Sequence, residues 1–257
     1  MHNIGKNLII CYNIFYMDTR KEQFLEYVIL DYIDTAQPVS SFNIQKKYQL
    51  PYSSSTIRNK LAELEEEGYL TQVHTSSGRI PTDKGYRYYV NRLLGRQEIL
   101  RQYASVTHRL LNDMNKMNEI HLKLKKLLFS FANESGNVAM GKLSSDLIFE
   151  EGVYNFLTQP GFSSVEFIHN ALEDLEEIKL HIDEISKDVS QGNYKLYIGE
   201  ESPHAAMHNY SVIVGKFSID SDDGTIVVVG PKGMQYAKNI ALVEYMLNNN
   251  NYDKEDR

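Results

Sequence analysis

Three interruptions cut the first third of this chain into short pieces, and they constrain its fold more than any other feature. "TAQPV" at 35–39 stops a helical run, because proline disfavours helix at the residue before it. "QLPYS" at 49–53 makes the next turn, and Gly68 stands where a helix-ending glycine is expected. The segments between have helical period. Residues 20–34 put Phe24, Leu25, Val28, Ile29, Tyr32 and Ile33 on one face, and Ser40 or Ser41 can cap a second helix through about Tyr48. In 53–67, Ile57, Leu61 and Leu64 recur at steps of four and three, the apolar stripe of a third helix. Three short helices with tight turns form a helix-turn-helix arrangement.

The third helix lies in "SSSTIRNKLAELEEEGYL", residues 53–70, and its charge is lopsided. Its polar face carries Ser55, Asn59, Ala62 and Glu66, flanked by Thr56 and Arg58. A helix dipole favours acids early and cations late. Here Arg58 and Lys60 come early and Glu63, Glu65, Glu66 and Glu67 late. That order suits an N-terminal half entering a phosphate-lined groove while the acidic tail stays outside. The competing reading is a solvated face on an ordinary core helix.

After Gly68, "YLTQVHTSSGRIPT" holds two short β-prone runs around "TSSG", which reads as a hairpin. Appended to a helix-turn-helix it is a wing, with His74, Ser76, Ser77, Gly78 and Arg79 placed to reach phosphates or the minor groove. Thr82 then caps "DKGYRYYVNRLL", with Tyr86, Tyr89, Val90 and Leu93 inward and Lys84, Arg87 and Asn91 outward. From 96 to 132 the pattern predicts one long helix. Ile99, Tyr103, Val106, Leu110, Met117, Ile120, Leu124, Leu127 and Phe131 form a heptad seam, suited either to a two-fold partner or to the following domain. Beyond it, "DLIFEEGVYNFLTQP" and "SVEFIHNALEDLEEI" read as helices, "YKLYIGEE", "SVIVGKFSI" and "TIVVVGP" as strands, and "MQYAKNIALVEYMLNNN" as a closing helix. The fold class is α+β: an N-terminal winged helix-turn-helix, a long connecting helix and a C-terminal domain with a small antiparallel sheet.

Composition narrows the function classes. At 257 residues, 42% hydrophobic and 24% charged, the chain has the make-up of two folded domains. No apolar stretch approaches the ~20 residues that span a bilayer. A lone cysteine, Cys11, excludes an internal disulfide and a cysteine-built zinc site, and fits a reducing cytoplasm. The net charge of −7 argues against indiscriminate coating of nucleic acid. Residues 41–94 nevertheless hold eight basic side chains against five acidic ones, a local basic footprint. "HAAMH" (His204, His208) lacks a third metal ligand, and "GPKG" at 230–233 lacks the spacing and hydroxyl of a phosphate loop, so neither metal nor cofactor nor catalysis is expected.

Residues 35–94 resemble the N-terminal domain of the HrcA family of heat-inducible transcription repressors, through "SSSTIRN", "LEEEGYL" and "HTSSGRIPTDKGYRYYV". "EGVYNFLTQPGF", "LYIGEES" and "GTIVVVGPKGMQYAKNI" are similar to that family's GAF-like regulatory domain, so the resemblance runs over roughly residues 20–250. It departs at Ser40, where glycine is usual, at Ser55, where alanine is usual, and at Lys232 and Gly233. The short "SFANESGNVAMGKLSSDLIFEE" also leaves no room for the dimerising segment that many members insert there. The resemblance implies a homodimer bound to the double-stranded inverted-repeat operator CIRCE, repressing chaperone operons and kept active by the GroE chaperonin. Its DNA-binding residues are then Ser53, Ser54, Ser55, Thr56, Arg58, Asn59, Lys60, His74, Ser76, Ser77, Gly78, Arg79, Thr82, Lys84 and Arg87. Dimerisation is expected along Ile99, Tyr103, Val106, Leu110, Met117 and Leu124. The alternative is a winged-helix regulator whose C-terminal domain senses a small molecule. The expected divisions are an extension over 1–16 that precedes a native start at Met17, a DNA-binding domain over 17–95, and a linker helix with regulatory domain over 96–257.

Overall fold

The computed structural model describes residues 17–73, 78–95, 102–103, 106, 119–144, 147–159, 164–219 and 222–248. The extension over 1–16 lies outside them. Contacts divide the chain into two compact units after Arg96.

The N-terminal unit starts with α1, Thr19–Thr35, whose cap Asp18 accepts from the Arg20 backbone N–H. The helix closes where Ala36 turns left-handed, φ 51°, three residues before the strand-like Val39. Ser40 caps α2, Ser41–Lys47, and Ser53 caps α3, Ser54–Glu66. Gly68 takes φ +78°, a conformation glycine adopts without steric cost, and Tyr69 N–H returns to Leu64 O at 2.9 Å. Strand β1, Leu70–Gln72, pairs antiparallel with β2, Arg79–Pro81, in the register Leu70↔Pro81. Thr82 caps α4, Asp83–Leu94. α1 packs on α3 and α4, and α2 on α3. Leu25, Val28, Ile29, Ile44, Ile57, Leu61, Leu64, Tyr86 and Val90 are buried together, as the periodicity requires.

The C-terminal unit is built on a five-stranded antiparallel sheet in the order β4-β3-β7-β6-β5. Its strands are β3, Val138–Leu143, β4, Ile148–Glu151, β5, Tyr194–Ile198, β6, Tyr210–Ile219, and β7, Asp222–Pro231. Alternate residues Val138, Met140, Val212, Val214, Val227 and Val229 face one layer. That layer is filled by Phe156 of α6, Val153–Leu157, by Ala171, Leu175 and Ile178 of α7, Val165–Leu180, and by α8, Ile182–Ser186. The other face is covered by α5, Ile120–Ser135, and α9, Tyr236–Asn248. Leu124 and Leu128 of α5 lie so close to Gly141 that a β-carbon there would stand 2.9 and 2.8 Å from their methyls. Leu247 of α9 lies in the same way over Gly215.

Three expectations need correction. The long connecting helix is not continuous: Gln102 and Tyr103 lie in a turn, and Glu119 is extended, φ −93° and ψ 125°, immediately before α5. Periodicity reports a shared face but not an unbroken backbone. Leu124, given to the dimer seam, is 0% exposed within its own unit, as Leu128 is. The buried set Leu124, Leu127, Leu128, Phe131 and Ala132 is the wide stripe of a helix lying on a sheet, broader than a coiled-coil seam. Tyr103 and Val106 are half-buried, and Ile99, Leu110 and Met117 lie outside the described residues. Finally, "DLIFEEGVYNFLTQP" is strand β4 followed by the five residues of α6, and β3 precedes it.

Candidate nucleic-acid interface

The first two turns of α3 present a polar surface assembled by capping. Ser53 Oγ accepts from Thr56 N–H at 3.1 Å and lies 2.8 Å from Ser55 Oγ and 2.9 Å from Thr56 Oγ1. Ser54 Oγ sits 3.1 Å from Ser41 Oγ, which joins the starts of α2 and α3. Ser53, Ser55, Thr56, Arg58 and Asn59 are exposed, and Ser54 and Lys60 half-buried. Arg58 has no acidic partner among the described residues, so its guanidinium fork is free for a planar pair of acceptors.

The second half of α3 behaves differently, for its glutamates are neutralised from within the unit. Lys60 Nζ donates to both Glu63 oxygens at 2.8 and 2.9 Å. Lys21 Nζ, from α1, lies 2.9 Å from Glu63 and 2.6 Å from Glu67. Lys60 and Lys21 hold the Glu63 carboxyl below its ordinary range, while Glu67 and Glu63 hold the Lys21 ammonium above its own. Arg79 Nε, from β2, donates to Glu65 at 2.9 Å. The acidic tail is thus the anchor that ties α3 to α1 and to the hairpin.

That arrangement redistributes the cations expected on phosphates. Lys60 and Arg79 are engaged as just described. Lys84 Nζ donates to Glu67 O at 2.7 Å and lies 4.3 Å over the Tyr69 ring, so it closes the carbonyl end of α3. Arg87, expected outward, is 7% exposed. It is buried along with Gly85, Tyr86, Val90 and Leu93 of the same helix. Thr82 Oγ1 accepts from Gly85 N–H at 3.1 Å and donates to Gly68 O at 2.7 Å, an anchoring role. Gly78 is half-buried against Pro38 and Val39. His74, Ser76 and Ser77 lie outside the described residues.

Sequence reasoning missed one element of this surface. Val39 exchanges both backbone hydrogen bonds with Arg79, 2.9 Å each way, so the α1–α2 connection adds a third short rung to the hairpin. A β-branched residue after Pro38 was the available signal. Elsewhere, among the described residues, no group of three or more His, Cys, Asp or Glu side chains could hold a metal ion, and no helix is long and apolar enough to cross a membrane. His204 Nε2 faces Glu184 at 3.6 Å and His208 Nε2 faces Ser202 O at 3.1 Å, so the two histidines have separate partners.

The family model described as "HrcA protein C terminal domain" matches residues 84–240. The heat-inducible transcription repressor HrcA of Acetivibrio thermocellus is 43% identical over 129 residues, 50% of this chain and 34% of that protein. The protein of that name from Caldanaerobacter subterraneus subsp. tengcongensis is 44% identical over 133 residues, 51% of this chain and 38% of that protein. The one from Desulforudis audaxviator reaches 58% over 78 residues, 30% of this chain and 23% of that protein. The matched stretch therefore spans little more than a third of the length of the first two of these curated relatives. A solved structure described as a hypothetical protein at 2.2 Å resolution shares the fold, with a TM-score of 0.68 at 18% identity over 91% of this chain and 97% of that one.

Proposed function

The chain belongs to the HrcA family, and from that premise we propose that it is a transcriptional repressor, not an enzyme, whose N-terminal unit is a winged helix-turn-helix that reads double-stranded DNA. α3 is the recognition helix. Ser55, Thr56, Arg58 and Asn59 meet base edges in the major groove, where a guanidinium pairs with guanine O6 and N7 and a carboxamide with adenine N6 and N7. Ser53 and Ser54 at the helix start, with His74, Ser76, Ser77 and Gly78 of the wing, lie along the backbone and carry no sequence information themselves. The operator is the inverted repeat CIRCE, and the protein is a homodimer, because a two-fold protein offers each half-site the same helix in the same orientation. The C-terminal unit is a GAF-like regulatory domain through which the GroE chaperonin keeps the repressor active in the cytoplasm.

One observation carries this reading: the outward side chains of the first two turns of α3, Ser55, Thr56, Arg58 and Asn59, are exposed and free of acid, while every buried side chain of the helix faces the unit's core. Titration of the full chain onto a CIRCE duplex and a scrambled duplex of equal length tests it. Specific DNA-binding proteins exceed their own non-specific affinity by ~10³–10⁷ at physiological salt. Equal affinity for the two duplexes overturns the proposal. Genome-wide mapping of bound DNA tests the regulon, with sites expected upstream of chaperone operons.

A further inference from the structure

We propose that α2 supplies a strip that grips the DNA backbone beside the recognition helix, formed by Lys46 and Phe42; this rests on the DNA-binding reading above. The argument starts from the cations of the N-terminal unit. Lys21, Lys60 and Arg79 are held by glutamates of α3, Lys84 by the carbonyl of Glu67, and Arg92 by Glu22 at 3.1 Å. Lys47 pairs with Asp31 and lies 3.5 Å from Asp34. Arg87 is buried, and Arg20 lies over the Tyr52 ring. Among the described residues of this unit, that leaves Arg58 and Lys46 as exposed cations with no partner. A cation already paired must give up a carboxylate to reach a phosphate, and recovers only the difference. An unpaired one keeps the full gain from releasing the DNA's counterions.

Position selects Lys46 for the backbone. At 100° per residue, Lys46 and Phe42 lie one above the other on α2, next to the flank formed by Ser41 and Gln45. Those two residues touch the start of the recognition helix: Ser41 Oγ meets Ser54 Oγ at 3.1 Å, and Gln45 Nε2 donates to Tyr52 O at 2.9 Å. Lys47 lies on the opposite flank, drawn to α1. The pair therefore borders the end of α3 that enters the groove, where a helix-turn-helix lays its first helix across the backbone. Phe42 is 61% exposed, although the other phenylalanine among the unit's described residues, Phe24, is buried at 3%. A ring beside an unpaired ammonium fits a sugar-phosphate edge, which offers an apolar deoxyribose next to an anion.

Lys46→Gln, Lys47→Gln and Phe42→Ala in the full chain test this, with operator and scrambled duplex titrated between about 50 and 200 mM salt. Each lost phosphate contact lowers the logarithmic salt slope by ~0.9, so across a fourfold salt range a variant lacking one contact loses ~3.5-fold less affinity than the unaltered protein. Lys46→Gln is expected to show that change per protomer and to weaken both duplexes by one common factor. Phe42→Ala is expected to weaken both with its slope unchanged. Lys47→Gln, already paired, is expected to keep the slope. If the unaltered protein prefers the operator while Lys46→Gln retains its slope and affinity, the α2 strip is wrong and the recognition helix stands. If the unaltered protein shows no preference for the operator, the DNA-binding reading falls and the strip with it.

Discussion

Leu124→Ala distinguishes a helix that lies on its own sheet from one that holds two subunits together. Leu124 is fully buried, with a methyl against the backbone of β3 at Gly141 and Leu128 beside it. Removing such a side chain costs ~2.7–5 kcal/mol, the upper part of the range applying where neighbours cannot collapse into the space. Here they cannot easily do so, since Gly141 has no side chain and Leu128 is already packed. In a unit of this size each kcal/mol lowers the melting temperature by ~2–4 °C, which gives a fall of roughly 10 °C. Leu122→Ala, on the exposed side of the same helix, removes the same atoms from a position 47% exposed and is expected to change stability by less than ~0.5 kcal/mol. Gly141→Ala adds the converse: its methyl would stand 2.8 and 2.9 Å from Leu128 and Leu124, a clash worth ~1–3 kcal/mol. Combined with Leu124→Ala, part of that clash disappears, so the double variant is expected to lose less stability than the two single losses added together. Thermal melts followed by circular dichroism at two protein concentrations read all four variants. If Leu124→Ala kept its melting temperature in dilute solution while sedimentation showed subunits falling apart, the burial argument would be refuted and the intermolecular seam restored.

Arg58→Ala, at an exposed site, is expected to leave the folded spectrum unchanged and to cost ~1–3 kcal/mol on the operator with relaxed preference at one base pair per half-site, measured with single-base operator variants. Lys84→Met removes the ammonium that closes α3 and is expected to lower stability by ~0.3–1 kcal/mol in denaturant titration, while Thr82→Ala, which loses a cap and a bond to Gly68 O, is expected to cost ~0.5–2 kcal/mol. Glu244 is raised above the ordinary carboxylate range by burial, against the pull of the Tyr194 hydroxyl that donates to it at 2.8 Å. The native state therefore holds the Glu244 proton more tightly than the unfolded chain does, and stability falls as pH rises from the ordinary carboxylate pKa through the raised one. Glu244→Gln is expected to flatten that fall in denaturant midpoints taken from about pH 4 to about pH 8.

The helices of the N-terminal unit were legible because each carries its own signals: a hydroxyl or carboxylate cap, an apolar stripe and a stop at Ala36 or Gly68. Ser53 with Ile57, Leu61 and Leu64 is enough to place α3 within one residue at either end. Strands β3 and β4 were hidden for the opposite reason. "VAMGKL" is mostly buried, and with so few exposed residues it shows no alternation; "IFEE" is an edge strand, half-buried throughout, that runs through Gly152 into a helix of five residues. Pairing with β7, 81 to 91 residues away, makes β3 a strand, and nothing local records that partner.

The same limit governs the cations, and it yields the last prediction. A count of charges over 41–94 treats eight basic residues as a footprint available to DNA. Which of them are spent internally depends on Lys21 of α1 reaching Glu63 and Glu67, and on Arg79 of β2 reaching Glu65, contacts that span 14 to 46 positions. With those pairs in place, Lys46 and Arg58 are the unpaired cations of the N-terminal unit among its described residues, and the proposed dimer on two half-sites brings roughly four to the DNA. At ~0.9 released counterions per phosphate contact, with about two contacts where Arg58 meets only bases and about four where it also neutralises a phosphate, the operator complex is expected to show a logarithmic salt slope between about −2 and −4, shallow for a two-site regulator. Titration at several salt concentrations measures it directly. A slope near −8 or steeper means that Lys60, Arg79 or Lys84 exchange their present partners for phosphates on binding, and the internal ion pairs then act as placeholders for DNA instead of as anchors for α3.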